Sequence, residues 1–531
     1  MQTLNVAPTG SPAANMEERE LKLHVPANAR TAIEQELRSQ QADEIALHAL
    51  YFDTAGRELA QARISLRLRL EGEQWIQTLK APGADALSRI EINQPRSTPT
   101  LDLSFYEGSD LSAIFSRLKH PLALRYETRV KRLVRKIPTP SGVVELAYDQ
   151  GVICAGGLEL PISEIEFELL KGNIRSLFIL GRKWTRKYGL ILDLRSKAER
   201  GDALAIAAQA QPAAGADDSS SPATLAAEHF IKPQRAAIPR LKPAMSAAQA
   251  YLACADECLN QIIRNAAFVA GVDSALADET LRAEHVHQLR VGIRRLRSCW
   301  RLYRDWIPPV APRTEAQVRR HFSAFGQTRD DDVVRYTVAP LIERAGMPAC
   351  TLPAAQTHTP DHSAALAGRA SFQILLLNLL EGVIAPARIT AGAMPQSLPA
   401  QAKPLKKALA AVLNKWLRQI EGQGGAFALL TIEEQHDLRK KVKRLRYSLN
   451  FSQTLLAKAA LERVLTELAQ TQEILGELND LYLAQGCYEA LVADQPQAWF
   501  AVGWLRAMQD QKKQAAQAAF KALIAAGKLK A

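Results

Sequence analysis

"MEERELKLHV" at residues 16–25 alternates charged and apolar side chains, and this pattern decides how the first half of the chain is interpreted. Glu18, Glu20 and Lys22 alternate with leucine and valine, which predicts a short β-strand with one apolar and one charged face. A half-buried strand ordinarily turns such charges toward solvent. The alternative is that this charged face lines a site.

The same alternation recurs on at least four further predicted strands. The charged positions on those strands are Arg67, Arg69, Arg89, Glu91, Glu145, Asp149, Glu164, Glu166 and Glu168. Aligned carboxylates repel one another, whereas clustered carboxylate oxygens are the ligands that Mg²⁺ or Mn²⁺ requires. Arginines on other strands would bind an anion, since guanidinium groups pair with two phosphate oxygens at once. A closed or nearly closed barrel with its polar faces inside satisfies all these demands.

Length and composition restrict the classes of protein that fit. A chain of 531 residues predicts two to four domains. The net charge of +12 indicates an anionic partner. The six cysteines are scattered without a CxxC pair, which fits a reducing cytoplasm. We find neither an apolar run of the ~18 residues that a membrane span needs nor a basic and apolar leader, so we expect a cytoplasmic protein without a membrane partner.

The second half of the chain has helical periodicity and an internal repeat. A segment rich in Ala, Pro, Gly and Ser at 208–224 predicts a flexible linker. Beyond it, "HQLRVGIRRLR" at 287–297 matches "HDLRKKVKRLR" at 436–446 in phase. We therefore predict a multidomain α+β protein, divided into a barrel domain, a linker and a helical domain with two pseudo-symmetric bundles. The predicted boundaries are 16–202, 203–242 and 243–531, with repeats at 243–345 and 365–531.

Several short motifs of the first half, taken together, resemble the CYTH domain of the triphosphate tunnel metalloenzymes. They are "ExExK" at 18–22, "YFDT" at 51–54, "RLRL" at 67–70, "TLK" at 78–80, "RIE" at 89–91, "EIEFEL" at 164–169 and "SKAERG" at 196–201. The resemblance implies an antiparallel eight-stranded tunnel that binds a linear triphosphate and one or two divalent metals, Mg²⁺ or Mn²⁺. It implies that phosphate oxygens are bound by Lys22, Arg67, Arg69, Lys80, Arg89, Arg129 and Lys197. It implies metal ligation by Glu18, Glu20, Glu164 and Glu166, with Asp149, Glu168 and Glu91 as further ligands or close neighbours.

The assignment of Arg129 depends on its distance along the chain from Asp149. It is chosen because the family places an arginine about one hairpin before the acidic residue that we match to Asp149, and Arg125, Lys131 and Arg132 are alternatives. No His or Ser lies in the charged motifs, so a covalent triad is not indicated. The expected chemistry is metal-dependent hydrolysis of inorganic triphosphate to diphosphate and phosphate, with water as the nucleophile.

The catalytic set expected from these motifs is Glu18, Glu20, Lys22 and Glu166.

The repeated helical motif of the second half resembles the CHAD domain, a histidine-containing α-helical domain often attached to CYTH. On each predicted helix, apolar side chains form one stripe and basic side chains a second stripe beside it. The resemblance implies a cavity that binds inorganic polyphosphate. The candidates are His287, Arg290, Arg294, Arg297, His436, Arg439, Lys443, Arg444, Arg446 and Tyr447.

Four alternatives remain open at this point. Metal binding by the two histidines is opposed by the cations that flank them. Nucleic acid would also be attracted by the basic stripes, but these lack the interleaved aromatic residues that stack on bases. The barrel could serve a non-catalytic polyphosphate-binding scaffold or sensor, or it could act on an organic triphosphate as a thiamine triphosphatase or adenylate cyclase does.

Overall fold

A computed structural model describes most of the chain. The described residues are 16–107, 112–209, 232–275, 277–353, 360–385 and 404–530. Residues 1–15, where we predicted no leader, and much of the predicted linker at 203–242 lie outside them. The chain divides into two compact units. The first takes residues up to 234, 263–285 and 367–385, and the second takes 235–262, 286–366 and residues from 386 onward.

The first unit is built on a closed antiparallel barrel. Its strands are β1 (Met16–His24), β2 (Asp43–Thr54), β3 (Ser65–Glu71), β4 (Gln74–Pro82), β5 (Ser88–Arg96), β6 (Leu122–Thr139), β7 (Gly142–Ala155) and β8 (Leu158–Gly172). They follow the order β5-β4-β3-β2-β6-β7-β8-β1, and β1 pairs again with β5. A two-residue strand, β9 (Ile191–Leu192), pairs with Leu23 and His24 along the edge of β1 opposite β8. The predicted eight-stranded barrel is confirmed.

Strand β1 closes the barrel by changing partners along its length. Residues 16–19 pair with β5, and residues 20–24 pair with β8. Its alternation separates the two faces as predicted: Leu21 and Leu23 are fully buried, while Lys22 lies beside charged side chains of β8.

Helices cover the outside of the barrel and also enter it. Those of the first part of the chain are α1 (Arg30–Ser39), α2 (Glu58–Gln61), α3 (Ser112–Phe115), α4 (Arg175–Tyr188) and α5 (Lys197–Gln209). Helix α4 packs on the apolar face of β1 so closely that a Cβ at Gly181 would lie 2.7 Å from Leu21 Cδ2. That close approach requires the glycine.

Helix α5 fills one end of the barrel. There the inner faces of β6, β7 and β8 become apolar, with Tyr126, Ile153 and Ile162 continuing the alternation of the charged positions. Leu204 of α5 packs into this apolar cluster. A Cβ at Gly201 would lie 2.3 Å from the Tyr126 ring, so helix and ring are in direct contact. The N-terminus of α5 consequently reaches the charged interior.

The C-terminal region is entirely helical among its described elements. The helices are α6 (Ala247–Val269), α7 (Glu279–Tyr303), α8 (Pro312–Asp332), α9 (Ala339–Arg344), α10 (Pro360–Gly368), α11 (Ala370–Ile384), α12 (Leu405–Gly424), α13 (Ile432–Phe451), α14 (Lys458–Leu491) and α15 (Ala498–Ala526). The predicted apolar stripes are confirmed: Leu289 and Ile293 on α7, and Leu438 and Val442 on α13, are at most 4% exposed.

Two of these helical segments belong to the first compact unit. The end of α6 with the turn after it is one, and α11 is the other. Arg182 of α4 donates to Glu381 of α11 at 2.5 Å, and the Gln373 amide oxygen accepts from the Leu192 backbone N–H. In the described part of the chain no single helix is long and apolar enough to cross a membrane, and α10 and α11 meet that test only as a pair bent by 50°.

Candidate functional site

Three carboxylates converge inside the barrel on β7 and β8. Asp149, Glu164 and Glu166 each place one oxygen within 4.8 Å of the other two. The strand register causes this, because Asp149 lies directly opposite Glu164 and Glu166 is two residues along the same face. Asp149 and Glu164 are buried. Carboxylate oxygens at this density hold a divalent cation or are neutralised by cationic side chains.

Cationic side chains from three elements contact this three-carboxylate cluster. Lys197 Nζ, at the start of α5, lies 2.6 Å from Asp149, 2.5 Å from Glu164 and 2.9 Å from Glu166. Lys22 lies 3.1 Å from Glu166. Arg132 lies 2.7 Å from both Asp149 and Glu166.

These ion pairs set the protonation state of the cluster. Burial alone would raise the pKa of Asp149, but Arg132 and Lys197 outweigh it and hold that pKa below its usual value. The pKa of Glu166 is lowered in the same way, with Lys197 and Lys22 opposing burial. Both carboxylates are therefore ionised at neutral pH.

A second charged group surrounds Lys80 of β4. Its Nζ lies 2.5 Å from Glu18 and 2.9 Å from Glu91. Burial raises the pKa of Glu18 to about 8, with Glu20 and Glu91 adding repulsion and Lys80 opposing it. The single ammonium does not neutralise all the carboxylates that face it.

A row of like charges crosses three adjacent strands. Glu168 of β8 lies directly opposite Glu20 of β1 on one side and Glu145 of β7 on the other. Like charges in this position are destabilising. Burial raises the pKa of Glu168 to about 7, and the neighbouring carboxylates Glu145 and Glu20 add to the effect. A cation bound beside this row would relieve the repulsion among its carboxylates.

Strand β3 supplies two cations, Arg67 and Arg69, to the barrel interior. Arg67 donates to the Tyr51 hydroxyl at 3.3 Å. Among the described residues no carboxylate lies within 4.0 Å of its guanidinium. The Nε atoms of Arg67 and Arg69 are buried, and no described residue provides a hydrogen-bond acceptor for them. Arg69 forms an ion pair with Glu71, yet burial and Arg67 lower its pKa to about 10. These groups are arranged to receive an anion.

The structure brings most of the predicted barrel residues together, but not Arg129. No register shift separates Arg129 from Arg132, three residues later, so their side chains point to opposite faces of β6. Arg129 is 58% exposed and pairs with Glu127, whereas Arg132 contacts the three-carboxylate cluster. Arg132 therefore takes the interior position that we had assigned to Arg129.

Arg89 is placed near the charged interior without an ion pair of its own among the described residues. It lies opposite Glu18 in the register, and its guanidinium donates to the Ser88 carbonyl at 2.9 Å.

The donor set fits a hard divalent cation. Every candidate ligand atom is a carboxylate oxygen, which is the preference of Mg²⁺ and Mn²⁺. The residues that could hold it are those of the three-carboxylate cluster, with Glu18, Glu20 and Glu168 outside that cluster on neighbouring positions. A cation there would replace charge now supplied by Lys197 and Lys22, which would leave these ammonium groups for an anion.

The predicted basic stripe on α7 contains a dense group of guanidiniums. Arg290, Arg294 and Arg297 lie 5.2, 6.0 and 5.9 Å from the ring centre of Phe322 on α8. Burial and Arg319 lower the pKa of Arg297. Glu315 opposes this effect, so the lowered pKa reflects burial together with repulsion from Arg319.

The second copy of the motif lies on α13. His436 is exposed, and its Nδ1 is 3.1 Å from Asn479 Oδ1. Burial lowers the pKa of Arg444, and Arg301 and Arg297 of α7 lower it further. Arginines of the two copies therefore repel one another across one surface.

Sequence patterns missed Arg295, which lies within the first motif at 287–297. Its guanidinium is 2% exposed. It donates to Gln261 at 2.5 Å and to the Ala237 carbonyl at 2.7 Å, and it lies over the Phe451 ring. It is a structural residue of the helical unit. Helical periodicity places it about 100° around α7 from Arg294, outside the basic stripe, and this is the signal that could have separated it from its neighbours.

The first unit is thus a barrel whose interior carries both carboxylates and cationic side chains, and the second is a helical unit with clustered arginines. Residues 16–201 match the family model of the CYTH domain, and residues 253–489 match that of the CHAD domain. The chain therefore carries a CYTH domain followed by a CHAD domain.

Among curated proteins, the chain is 32% identical over 160 residues to an inorganic triphosphatase from Haemophilus influenzae. The match covers 28% of this chain and 44% of that protein, so the chain spans less than half the length of this relative.

Two solved structures show partial likeness. The CHAD domain from Ricinus communis has 26% identity and a TM-score of 0.42, covering 55% of this chain and 97% of that one. A protein from Hippeastrum, described as an adenylyl cyclase candidate with a dominant triphosphatase activity, has 19% identity and a TM-score of 0.28. That match covers 35% of this chain and 95% of that one.

Proposed function

We propose that the barrel hydrolyses inorganic triphosphate to diphosphate and phosphate with the help of a divalent metal ion. The observation that carries the proposal is the presence, inside one barrel, of a converging carboxylate cluster and of buried guanidinium nitrogens for which the described part of the chain offers no acceptor. The carboxylates suit a hard cation, and the guanidiniums suit an anion that bridges to it. The triphosphatase relative and the CYTH match support the same class of substrate.

The side chains of the barrel would act mainly through charge. Arg67 and Arg69 would bind phosphate oxygens through Nε and Nη donors. Lys22, Lys80 and Lys197 would neutralise the charge that develops on the bridging oxygen as the terminal phosphoryl group leaves. These ammonium groups already lie inside the barrel beside its carboxylates, so a metal ion that takes over the carboxylates would leave them next to the anion.

A bound metal would polarise phosphate oxygens and lower the pKa of water. The chain would supply its ligands from the three-carboxylate cluster together with Glu18 and Glu20. The row formed by Glu20, Glu168 and Glu145 gives a reason for metal affinity, since cation binding relieves repulsion among carboxylates that lie directly opposite one another.

The test is a substrate panel on the purified chain. Tripolyphosphate, ATP, thiamine triphosphate and long-chain polyphosphate are each incubated with Mg²⁺ or Mn²⁺, and phosphate release is measured. We expect tripolyphosphate to be hydrolysed fastest and Glu20→Gln to lose that activity. Glu34→Gln is the matched control, because Glu34 lies on α1 and pairs with Lys131 outside the barrel. A preference for ATP or thiamine triphosphate would replace the proposed substrate, and a barrel inactive on all four would favour a scaffold or sensor.

We further propose that the helical region binds inorganic polyphosphate. The supporting observation is the group of mutually repelling arginines on α7 and α13, because a flexible polyanion would neutralise them without stacking contacts. Competition between polyphosphate and DNA at matched salt tests this, with Arg297→Gln and Arg444→Gln expected to weaken polyphosphate binding. Preferential binding of DNA would contradict it.

A further inference from the structure

Asp273 is a buried carboxylate outside every motif that identified the barrel. It lies in the turn after α6, and its φ of 56° places it in the left-handed region, where Asp is better tolerated than most residues. Its side chain is 3% exposed. A buried carboxylate in strained backbone needs cationic partners to remain charged.

Two arginines of the barrel domain share the Asp273 carboxylate. Arg200 of α5 donates to it through Nε at 3.0 Å and Nη2 at 2.9 Å. Arg195 Nη2 lies 3.0 Å from the same carboxylate and 2.7 Å from Asp193. Asp273 thus neutralises two guanidiniums, that of Arg195 just before α5 and that of Arg200 in the first turn of α5.

Arg200 connects this arrangement to the candidate metal ligands. Its Nη1 lies 3.5 Å from Glu164 Oε2, and its Nη2 also donates to the Pro161 carbonyl at 2.8 Å. Glu164 and Asp273 are the carboxylates within 4.0 Å of Arg200 among the described residues. The two compete for one guanidinium, and the shorter, bidentate pair goes to Asp273.

We infer that Asp273 is a positioning residue for the barrel, which holds Arg200 away from Glu164 and so keeps Glu164 available to a divalent cation. Without the Asp273 carboxylate, a buried guanidinium would be left with Glu164 as its counter-charge. Arg200 would then draw Glu164 out of the three-carboxylate cluster. This inference rests on the metal requirement of the proposed function. Because Asp273 lies within the residues that match the CHAD model, it also means that part of this region affects the site in the CYTH domain.

Binding of Mn²⁺ to the full chain, measured by the electron paramagnetic resonance signal of free Mn²⁺, tests this inference without substrate. We expect Asp273→Asn to weaken Mn²⁺ binding at least tenfold, and Asp273→Glu to stay within threefold of the parent. The double variant Asp273→Asn/Arg200→Gln removes the competing guanidinium and should recover Mn²⁺ binding to within threefold. Glu381→Gln is the control, because it breaks the α4–α11 ion pair in the same compact unit but lies away from the carboxylates.

The outcomes separate a positioning role from a structural one. If Asp273→Asn binds Mn²⁺ like the parent, or if the double variant binds as weakly as the single one, the inference is wrong. If Asp273→Asn does not fold, the inference is tested with the double variant and with Asp273→Glu, each of which should bind Mn²⁺ within threefold of the parent, and weaker binding by either would contradict it. In the hydrolysis assay the single variant should be rescued by excess Mn²⁺, which a collapsed site would not allow. A parent chain that binds Mn²⁺ but releases no phosphate would refute the proposed function, whereas the Mn²⁺ affinities of the variants would still test the role of Asp273.

Discussion

Replacing Arg67 by methionine removes a guanidinium that has no carboxylate partner within 4.0 Å among the described residues and whose Nε has no acceptor. Its contribution should therefore appear on substrate binding and turnover and hardly on stability. Two hydrogen bonds from a guanidinium to phosphate oxygens contribute about 1.5 kcal/mol each at the low end. The resulting loss of transition-state stabilisation is about 3 kcal/mol, which lowers kcat/KM for tripolyphosphate by about 100-fold or more.

The assay is continuous phosphate release with saturating metal, together with urea unfolding of each variant. Arg129→Met is a matched control, since Arg129 lies on the same barrel but on the outer face of β6, 58% exposed. We expect it to change kcat/KM by less than about twofold, because exposed ion pairs contribute little. Equal losses of kcat/KM in Arg67→Met and Arg129→Met would refute the assignment of Arg67 to the interior of the barrel and of Arg129 to its outer face. A large loss of stability in Arg67→Met would show that the guanidinium has a structural partner.

Three further predictions concern packing, pH and metal. Gly201→Ala should destabilise the barrel domain by about 1–3 kcal/mol, because its Cβ would lie 2.3 Å from the Tyr126 ring; the helical control Gly503→Ala meets no atom within 4 Å and should be neutral or slightly stabilising in thermal unfolding. Burial lowers the pKa of His24 to about 4, so the folded chain does not bind a proton that the unfolded chain binds, and the free energy of unfolding falls as the pH drops from about 6.5 to 4. In urea titrations, His24→Gln should remove up to about 3 kcal/mol of this pH dependence. The same pH dependence of unfolding in variant and parent would contradict the prediction. Treatment with a chelator should abolish phosphate release, with recovery on adding Mg²⁺ or Mn²⁺, and full activity after chelation would exclude a metal requirement.

The alternation of side chains predicted the barrel and most of its interior because a strand has a period of two. Lys22 between two buried leucines shows this directly. The same rule did not separate Arg129 from Arg132, since "TRVKRLVRK" at 128–136 carries cations on both faces. The neighbouring strands determine which face of β6 lies inside the barrel. Arg132 faces the carboxylates of β7 and β8, and this depends on strand pairing that the local sequence does not specify.

Packing between distant segments was not accessible to the sequence patterns. That α5 fills one end of the barrel follows from its contact with Tyr126, about 75 residues earlier in the chain. The pairing of Asp273 with Arg200 likewise joins a turn of the helical region to the barrel domain. Arg200 belongs to the motif at 196–201, but Asp273 does not differ locally from an ordinary surface Asp, because its burial depends on residues distant in the chain.

The most direct test of the central claim is a crystal structure of the full chain with tripolyphosphate and Mn²⁺. We predict phosphate density inside the barrel within hydrogen-bond distance of Arg67 and Lys80, and an anomalous Mn²⁺ peak beside Glu164 and Glu166. Ligand and metal bound only on the helical surface, with the interior ion pairs unchanged, would contradict the account.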